Sequence, residues 1–458
     1  MAKIRTMTEG NSAKMIFLFA LPLMFGNVFQ QMYTVMDTMI VGQALGVQAL
    51  AALGAADWLN WMVLGSIQGI SQGFAILMAQ EFGAGNIGRL QKVIGNSAIL
   101  SAITSILLLI LTQCIAAPVL QLLQTPQEIV GMSLLYLRIM FLGVPVVMAY
   151  NVLASVLRAL GDGKTPLYAM IVASFLNIGL DLLFVLVFHW GIAGAAAATV
   201  AAQAFSGIFC LASLKRVTIF AFSKSDFQIE SALAGKLLGL GAPMALQNAI
   251  IAVGGMIVQF VVNGFGVLFI AGFTATNKLY GVLEIAATSY GYAMVTYVGQ
   301  NLGARKIKRI RRGVKEAVLI AIVTAALIGV VMLLFGKNIL SCFISGTPQE
   351  FEQTLEIAYH YLTIMSVCLP VLYYLHVTRA SLQGMGDTML PMLSGIAEFI
   401  MRTGAALLLP YLVGEYGIFY AEILAWLGAD VVLFVSYLYR IHAVSRKMEQ
   451  AEIQQTAC

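Results

Sequence analysis

Met15–Gly42 reads MIFLFALPLMFGNVFQQMYTVMDTMIVG, an apolar run carrying one carboxylate, Asp37, near its far end. About 20 apolar residues in helical conformation cross a bilayer, so this run is long enough to be a membrane span. A carboxylate in hydrocarbon costs about 2.5–3.5 kcal/mol on insertion scales, so Asp37 is expected to face something inside the protein that compensates it. Asn27, Gln30 or Gln31, Thr34, and Asp37 or Thr38 recur at spacings of three and four, which places them on one helix face. The helix thus carries one wet stripe on an otherwise apolar surface.

Runs of this kind fill the chain. Of 458 residues 60% are hydrophobic and only 10% charged, and the mean hydropathy is +0.89. Soluble domains are about 25% charged, so the composition specifies an all-α polytopic membrane protein. A transmembrane β-barrel is excluded, because its segments are short and alternate polar with apolar. The 43 glycines suit helices that approach closely in lipid. Cys114, Cys210, Cys342, Cys368 and Cys458 show no C-x2-C spacing and mostly sit in apolar runs, which predicts neither a disulfide nor a metal site. The histidines are too scattered to suggest one either. The basic N-terminus precedes a run without a small-residue cleavage site, so the run is expected to remain as the first span.

Twelve transmembrane helices are expected, at 15–41, 49–79, 93–116, 129–157, 166–188, 192–214, 237–262, 269–299, 315–336, 354–383, 391–412 and 417–439. Charge placement orients them. The loops at 42–48, 117–128, 189–191 and 263–268 contain no Lys or Arg, and only Lys337 breaks the pattern on that side. The other side carries Lys3, Arg5, Lys14, Arg89, Lys92, Arg158, Lys164 and a run of seven cations between Arg305 and Lys315. Both termini are therefore expected in the cytoplasm of a cell that holds the protein in its inner or plasma membrane. The basic run has no interleaved aromatics, so it reads as topology and gives no reason to invoke nucleic acid.

The two halves of the chain repeat. Leu21-Pro22-Met24-Asn27 is echoed by Ala242-Pro243-Ala245-Asn248, and AQEFGAGNIGRLQK from Ala79 by GQNLGARKIKRIRR from Gly299. YLRIMFLGVP from Tyr136 is echoed by YLTIMSVCLP from Tyr361, and LRALGDGKTP from Leu157 by LQGMGDTMLP from Leu382. Each repeat holds six spans, an even number, so both enter from the same side and a pseudo-two-fold axis along the membrane normal is expected. The division reads as an N-lobe at 1–214, a charged cytoplasmic linker at 215–236, a C-lobe at 237–440 and a cytoplasmic tail at 441–458. Two six-helix lobes with a site between them suit alternating access.

The paired loops Gln80-Gly83-Ala84 and Gln300-Gly303-Ala304, the paired G-D-x3-P loops and the pattern Asp37-x4-Gly42 resemble the multidrug and toxic compound extrusion (MATE) family. The resemblance runs from about Met15 to Arg440. It implies export of organic, usually cationic and amphipathic, compounds in exchange for H+ or Na+, with no cofactor and no enzymatic step. It also implies ion-coupling residues at Asp37, Asn177, Asp181 and Thr199. Other members carry a Glu eight residues after the proline of helix 7, where this chain has Ile251.

The residues support that assignment independently. Asn177 and Asp181 are four apart and share a helix face. Counted at about 1.5 Å per residue, Asp37 lies about 8 Å from the outer end of its span, and Asp181 and Thr199 about 12 Å from theirs. Two carboxylates at low dielectric cannot both ionise cheaply, so the pair is expected to hold a proton, the favoured coupling ion. Alternatively their oxygens, with Asn177 and Thr199, coordinate Na+. Asn27, Gln30, Tyr33 and Thr34 on the first span, and Asn277, Lys278 and Glu284 on the eighth, are expected to line the substrate cavity. Glu398 and Arg402, at i and i+4, are expected to form a local ion pair. The expected partners are a small-molecule substrate and the lipid bilayer, with the protein working as a monomer.

Two other readings fit parts of the pattern. A lipid-linked oligosaccharide flippase of the wider superfamily would want a strongly cationic central cavity, and the intramembrane cations are few. An integral-membrane prenyltransferase would want two Asp-rich Mg2+ sites at cytoplasmic loops, whereas Asp181 lies at the other end of its span. The sequence has no phosphate-binding P-loop for ATP-driven transport.

Overall fold

A computed structural model describes residues 6–123, 125–344 and 347–456, which are nearly all helical and include no strand. Lys3, Arg5 and Cys458 lie outside the described residues. The helices are α1 (Ser12–Leu45), α2 (Val47–Gly83), α3 (Ile87–Leu122), α4 (Gln127–Leu142), α5 (Val144–Ala159), α6 (Lys164–Asp181), α7 (Ile192–Lys215), α8 (Ser231–Val262), α9 (Val267–Gly303), α10 (Ile307–Ser341), α11 (Pro348–Gly384), α12 (Met389–Val413) and α13 (Tyr420–Thr456). They make twelve spans, because α4 and α5 are two arms of one, bent by 47° at Gly143. Pro145 in the first turn of α5 has no N–H to continue the ladder of α4, which fixes the bend there.

Among the described residues ten helices are long and apolar enough to cross a membrane singly, and the bent pair makes eleven. The remaining one, α9, is 37 residues long but carries Asn277, Lys278 and Glu284, so its composition alone does not mark it as a span. Several helices outrun their expected spans. The basic run Lys308–Lys315 forms the first turns of α10 instead of a loop, so the helix extends past the apolar segment.

The chain divides into two compact units. The N unit comprises Met1–Met7 and Leu21–Ala249, and the C unit Thr8–Ala20 and Ile250–Cys458. Both boundaries fall inside helices, α1 and α8. A glycine ridge accounts for the first half of α8. Gly65, Gly69 and Gly73 of α2 follow one another at spacing four, and a Cβ on Gly69 or Gly73 would lie 2.6 Å from Ala245 N or 2.4 Å from Gly241 Cα. The two backbones therefore touch, as small residues permit in a membrane, and the Asn248 amide donates to the Gly65 carbonyl at 2.7 Å. Residues 223–230 of the expected linker also pack on the N unit. Asn96 on α3 donates to Gln228 O at 3.0 Å and accepts from Glu230 N at 2.9 Å.

In the C unit, α10 separates two faces. Gly313, Ala317, Ala321, Ala325 and Gly329 are buried, and a Cβ on Gly329 would lie 2.7 Å from Ser366 O on α11. Leu319, Val323, Leu327, Val330 and Leu334 on the other face are exposed, as lipid contact requires. Tyr361 stacks between Phe273 and Phe419, at 4.9 and 4.6 Å.

The repeated loops have a physical basis. Gly161 and Gly386 adopt positive φ, 79° and 80°, and the Asp after each caps the next helix. Asp162 Oδ1 accepts from Lys164 N and Thr165 N, both at 3.0 Å, and Asp387 Oδ1 accepts from Leu390 N at 3.2 Å.

Candidate functional site

The four ion-coupling candidates come together inside the N unit. Asp37 on α1 is 7% exposed, and Asn177 and Asp181 on α6 are fully buried. Asn177 donates its amide to the Thr199 hydroxyl on α7 at 3.4 Å. The carboxyls of Asp37 and Asp181 lie within hydrogen-bonding reach of each other. Asp181 sits at the last residue of α6, where the chain continues as a π-helical turn over Leu182–Val187. Such turns locally widen a helix and are frequent at functional sites. The Ser174 hydroxyl reaches Phe29 O on α1 at 3.2 Å, which ties α6 to α1 one turn from the site.

The hydrogen-bond inventory is one-sided. Asp37 Oδ1, both carboxylate oxygens of Asp181 and Asn177 Oδ1 are buried with no hydrogen-bond donor. Ionised carboxylates only accept, so Asp37 and Asp181 can bond to one another only through a shared proton. Burying four unpaired acceptor oxygens on two helices costs several kcal/mol unless a proton, a cation or water satisfies them. No three His, Cys, Asp or Glu side chains cluster as a metal site among the described residues. An ion held here would use the amide and hydroxyl oxygens beside the two carboxylates.

The surround includes groups that the sequence reading passed over. Gln203 on α7 donates to the Tyr33 hydroxyl at 3.3 Å and leaves its own Oε1 without a partner. It lies four residues after Thr199, so helical spacing could have found it. Tyr136 is buried and has Asp37, Asp57, Tyr33 and Asp181 as charged or polar neighbours. No periodic signal marks it. Asp57 is close enough to Asp37 to act on it electrostatically.

The cavity candidates are distributed. Gln30 and Tyr33 on α1 are half-buried and Thr34 is exposed, with its hydroxyl bonded back to Gln30 O at 3.1 Å. Asn27 is half-buried one turn below Gln30. Asn277, Lys278 and Glu284 belong to the C unit. Asn277 is half-buried, Lys278 is exposed, and Glu284 lies 3.3 Å from His376 Nε2. Glu398 and Arg402 do form the expected pair at 2.9 Å, as part of a larger network.

The MatE family model matches residues 22–183 and 243–407, one copy in each repeat. The "Probable multidrug resistance protein YpnP" of Bacillus subtilis is 32% identical over 74% of this chain and 76% of its own. The "Probable multidrug resistance protein NorM" of Thermotoga maritima is 25% identical over 96% of this chain and 94% of its own. Among solved structures, a MOP superfamily transporter from Pyrococcus furiosus superposes with a TM-score of 0.88 at 22% identity, covering 96% of this chain and 97% of that one. A mutant of the Vibrio cholerae MATE transporter VcmN gives 0.87 at 21% identity, covering 94% and 97%. These likenesses show a shared twelve-helix fold.

Proposed function

Because the chain belongs to the MatE family, we propose that it exports organic, cationic and amphipathic compounds across the cell membrane in exchange for H+. The family comprises transporters, so the chain is a multi-pass membrane transporter and not an enzyme. The coupling site is Asp37, Asn177, Asp181 and Thr199. The observation that carries this reading is the set of four buried acceptor oxygens without a donor.

A proton shared between Asp37 and Asp181 removes one charge from a low-dielectric site and supplies the missing hydrogen bond. Proton binding drives exchange only if one conformation of the transporter holds the proton better than the other. A state with the site open to the outside takes up H+ and releases substrate, and the inward state does the reverse. The polar side chains Asn27, Gln30, Tyr33 and Thr34 run along α1 from the site. Asn277, Lys278 and Glu284 supply polar groups in the C unit, and the protein works as a monomer with both termini in the cytoplasm.

A second reading, Na+ coupling at the same residues, draws support from the all-oxygen donor set, because hard cations take oxygen ligands. The flippase reading is not favoured: Arg379 and Arg402 are engaged by Glu398 and Glu422 within 2.9 Å. Efflux of a fluorescent organic cation, measured in inverted vesicles with ΔpH and the Na+ gradient collapsed separately, tests the proposal. Collapse of ΔpH alone is expected to stop transport. Wild-type gradient-driven rates in Asp37→Asn and Asp181→Asn would refute coupling at this site.

A further inference from the structure

The C unit gathers a second set of ionisable side chains, with Glu398 and Arg402 buried among them, that the coupling site does not use. Glu284 lies on α9, His376 and Arg379 on α11, Glu398 and Arg402 on α12, and Glu422 and Asp430 on α13. Its centre is an alternating chain. Arg379 Nη2 reaches Glu398 Oε2 at 2.7 Å, Glu398 Oε1 reaches Arg402 Nη2 at 2.9 Å, and the same Nη2 reaches Glu422 Oε2 at 2.7 Å. Arg402 Nη1 also donates to Ile251 O at 3.3 Å. Two guanidinium groups thus balance two carboxylates.

The remainder does not balance. Glu284 and Asp430 are two further carboxyl groups that the two guanidinium groups of the chain do not pair. Asp430 Oδ1 is buried without a hydrogen-bond partner, and its charged neighbours are Arg379 and Glu398. The Tyr361 hydroxyl is also buried and unpartnered, with Glu422 and Arg402 as its charged neighbours. Unpaired charge is costly in a protein interior, and the imidazole at 3.3 Å from Glu284 Oε1 is the group placed to balance that carboxylate.

We propose that the Glu284–His376 pair is a second proton-binding site, separate from Asp37 and Asp181, with its proton on His376 Nε2. A proton there turns the contact into a charge-assisted hydrogen bond and offsets the charge of Glu284. The His376 and Glu284 side chains are 18% and 33% exposed, so neither is sealed in the core. Na+ suits the pair poorly, because it seeks oxygen ligands and a nitrogen faces the single carboxylate. His376 precedes Arg379 by one helical turn and acts electrostatically on Glu398. Its protonation therefore biases the Arg379–Glu398–Arg402–Glu422 chain. Tyr280, one turn before Glu284, also lies within electrostatic reach of it.

The chain supplies its own reporter. Trp58, Trp61 and Trp190 belong to the N unit, and Trp426, in the C unit, stacks on Tyr280 at 6.0 Å. In the full-length protein carrying Trp58→Phe, Trp61→Phe and Trp190→Phe, Trp426 fluorescence is titrated between about pH 5 and 9, where imidazoles change charge. A one-proton transition is expected, unmoved by Na+ and retained in an added Asp37→Asn/Asp181→Asn background. Glu284→Gln should displace the transition, and His376→Gln should abolish it. Histidine NMR on the same protein reads the ring directly, with His376→Gln identifying its signal. A His376 resonance that does not titrate in this range, titrates alike in Glu284→Gln, shifts with Na+, or loses its transition with Asp37 and Asp181 would overturn the proposal.

Discussion

Asp37 and Asp181 are 144 positions apart in the chain, yet their carboxyls meet inside one helical unit where four acceptor oxygens make no hydrogen bond. Replacing either with Asn keeps the shape and removes a charge. Gradient-driven efflux is therefore expected to fall by at least about tenfold, while protein yield and melting temperature hold, because an uncompensated buried charge has been relieved. Parallel transport and thermal-shift assays check this. Arg402 gives the opposite case. Arg402→Leu strips the shared partner from Glu398 and Glu422 and is expected to destabilise the C unit by about 3–5 kcal/mol, read as a lowered melting temperature. Asp162→Ala removes a helix cap and should cost about 1 kcal/mol. Asp37 was conspicuous as a carboxylate in a long apolar run, and spacing put Asn177 and Asp181 on one helix face, while the family resemblance implied that they belong with Asp37. Tyr136 was not, because an isolated tyrosine in such a run carries no periodic signal.

Among the elements, α2 and α10 show how small residues set packing where lipid removes most of the hydrophobic drive between helices. Gly69→Leu would force a side chain into the backbone of α8 at Ala245. Gly329→Leu would force one onto Ser366 O of α11. Each should destabilise by more than the usual 1–3 kcal/mol of overpacking, whereas Leu319→Ala on the lipid face of α10 should stay within about 0.5 kcal/mol. Thermal unfolding of the three purified variants in one detergent separates these outcomes. The spans themselves were readable from apolar length. The bend between α4 and α5 had a local cause in Pro145, but its 47° angle depends on what the two arms pack against. The helix α9 was found as a span in spite of Lys278 and Glu284, since its apolar residues continue on both sides of them.

For the molecule as a whole, the basic loops predict sidedness. In a cysteine-free background, Gln43→Cys should react with an impermeant thiol reagent added to intact cells, and Lys306→Cys only after permeabilisation. Labelling of Lys306→Cys from outside would reverse the topology. The sequence by itself determined the membrane class, the twelve spans, their expected orientation and the internal repeat. These follow from transfer energies and loop charges, which each segment carries without reference to its neighbours. Only the tertiary structure decided that Thr8–Ala20 belongs with the C unit and the first half of α8 with the N unit. It also decided that Gln203 and Tyr136 surround Asp37, and that Glu398 and Arg402 extend into a chain through Arg379 and Glu422. Those outcomes depend on which helix faces touch. In lipid that is settled by backbone approach at small residues and by pairing of polar groups far apart in sequence, and neither leaves a mark within a single segment.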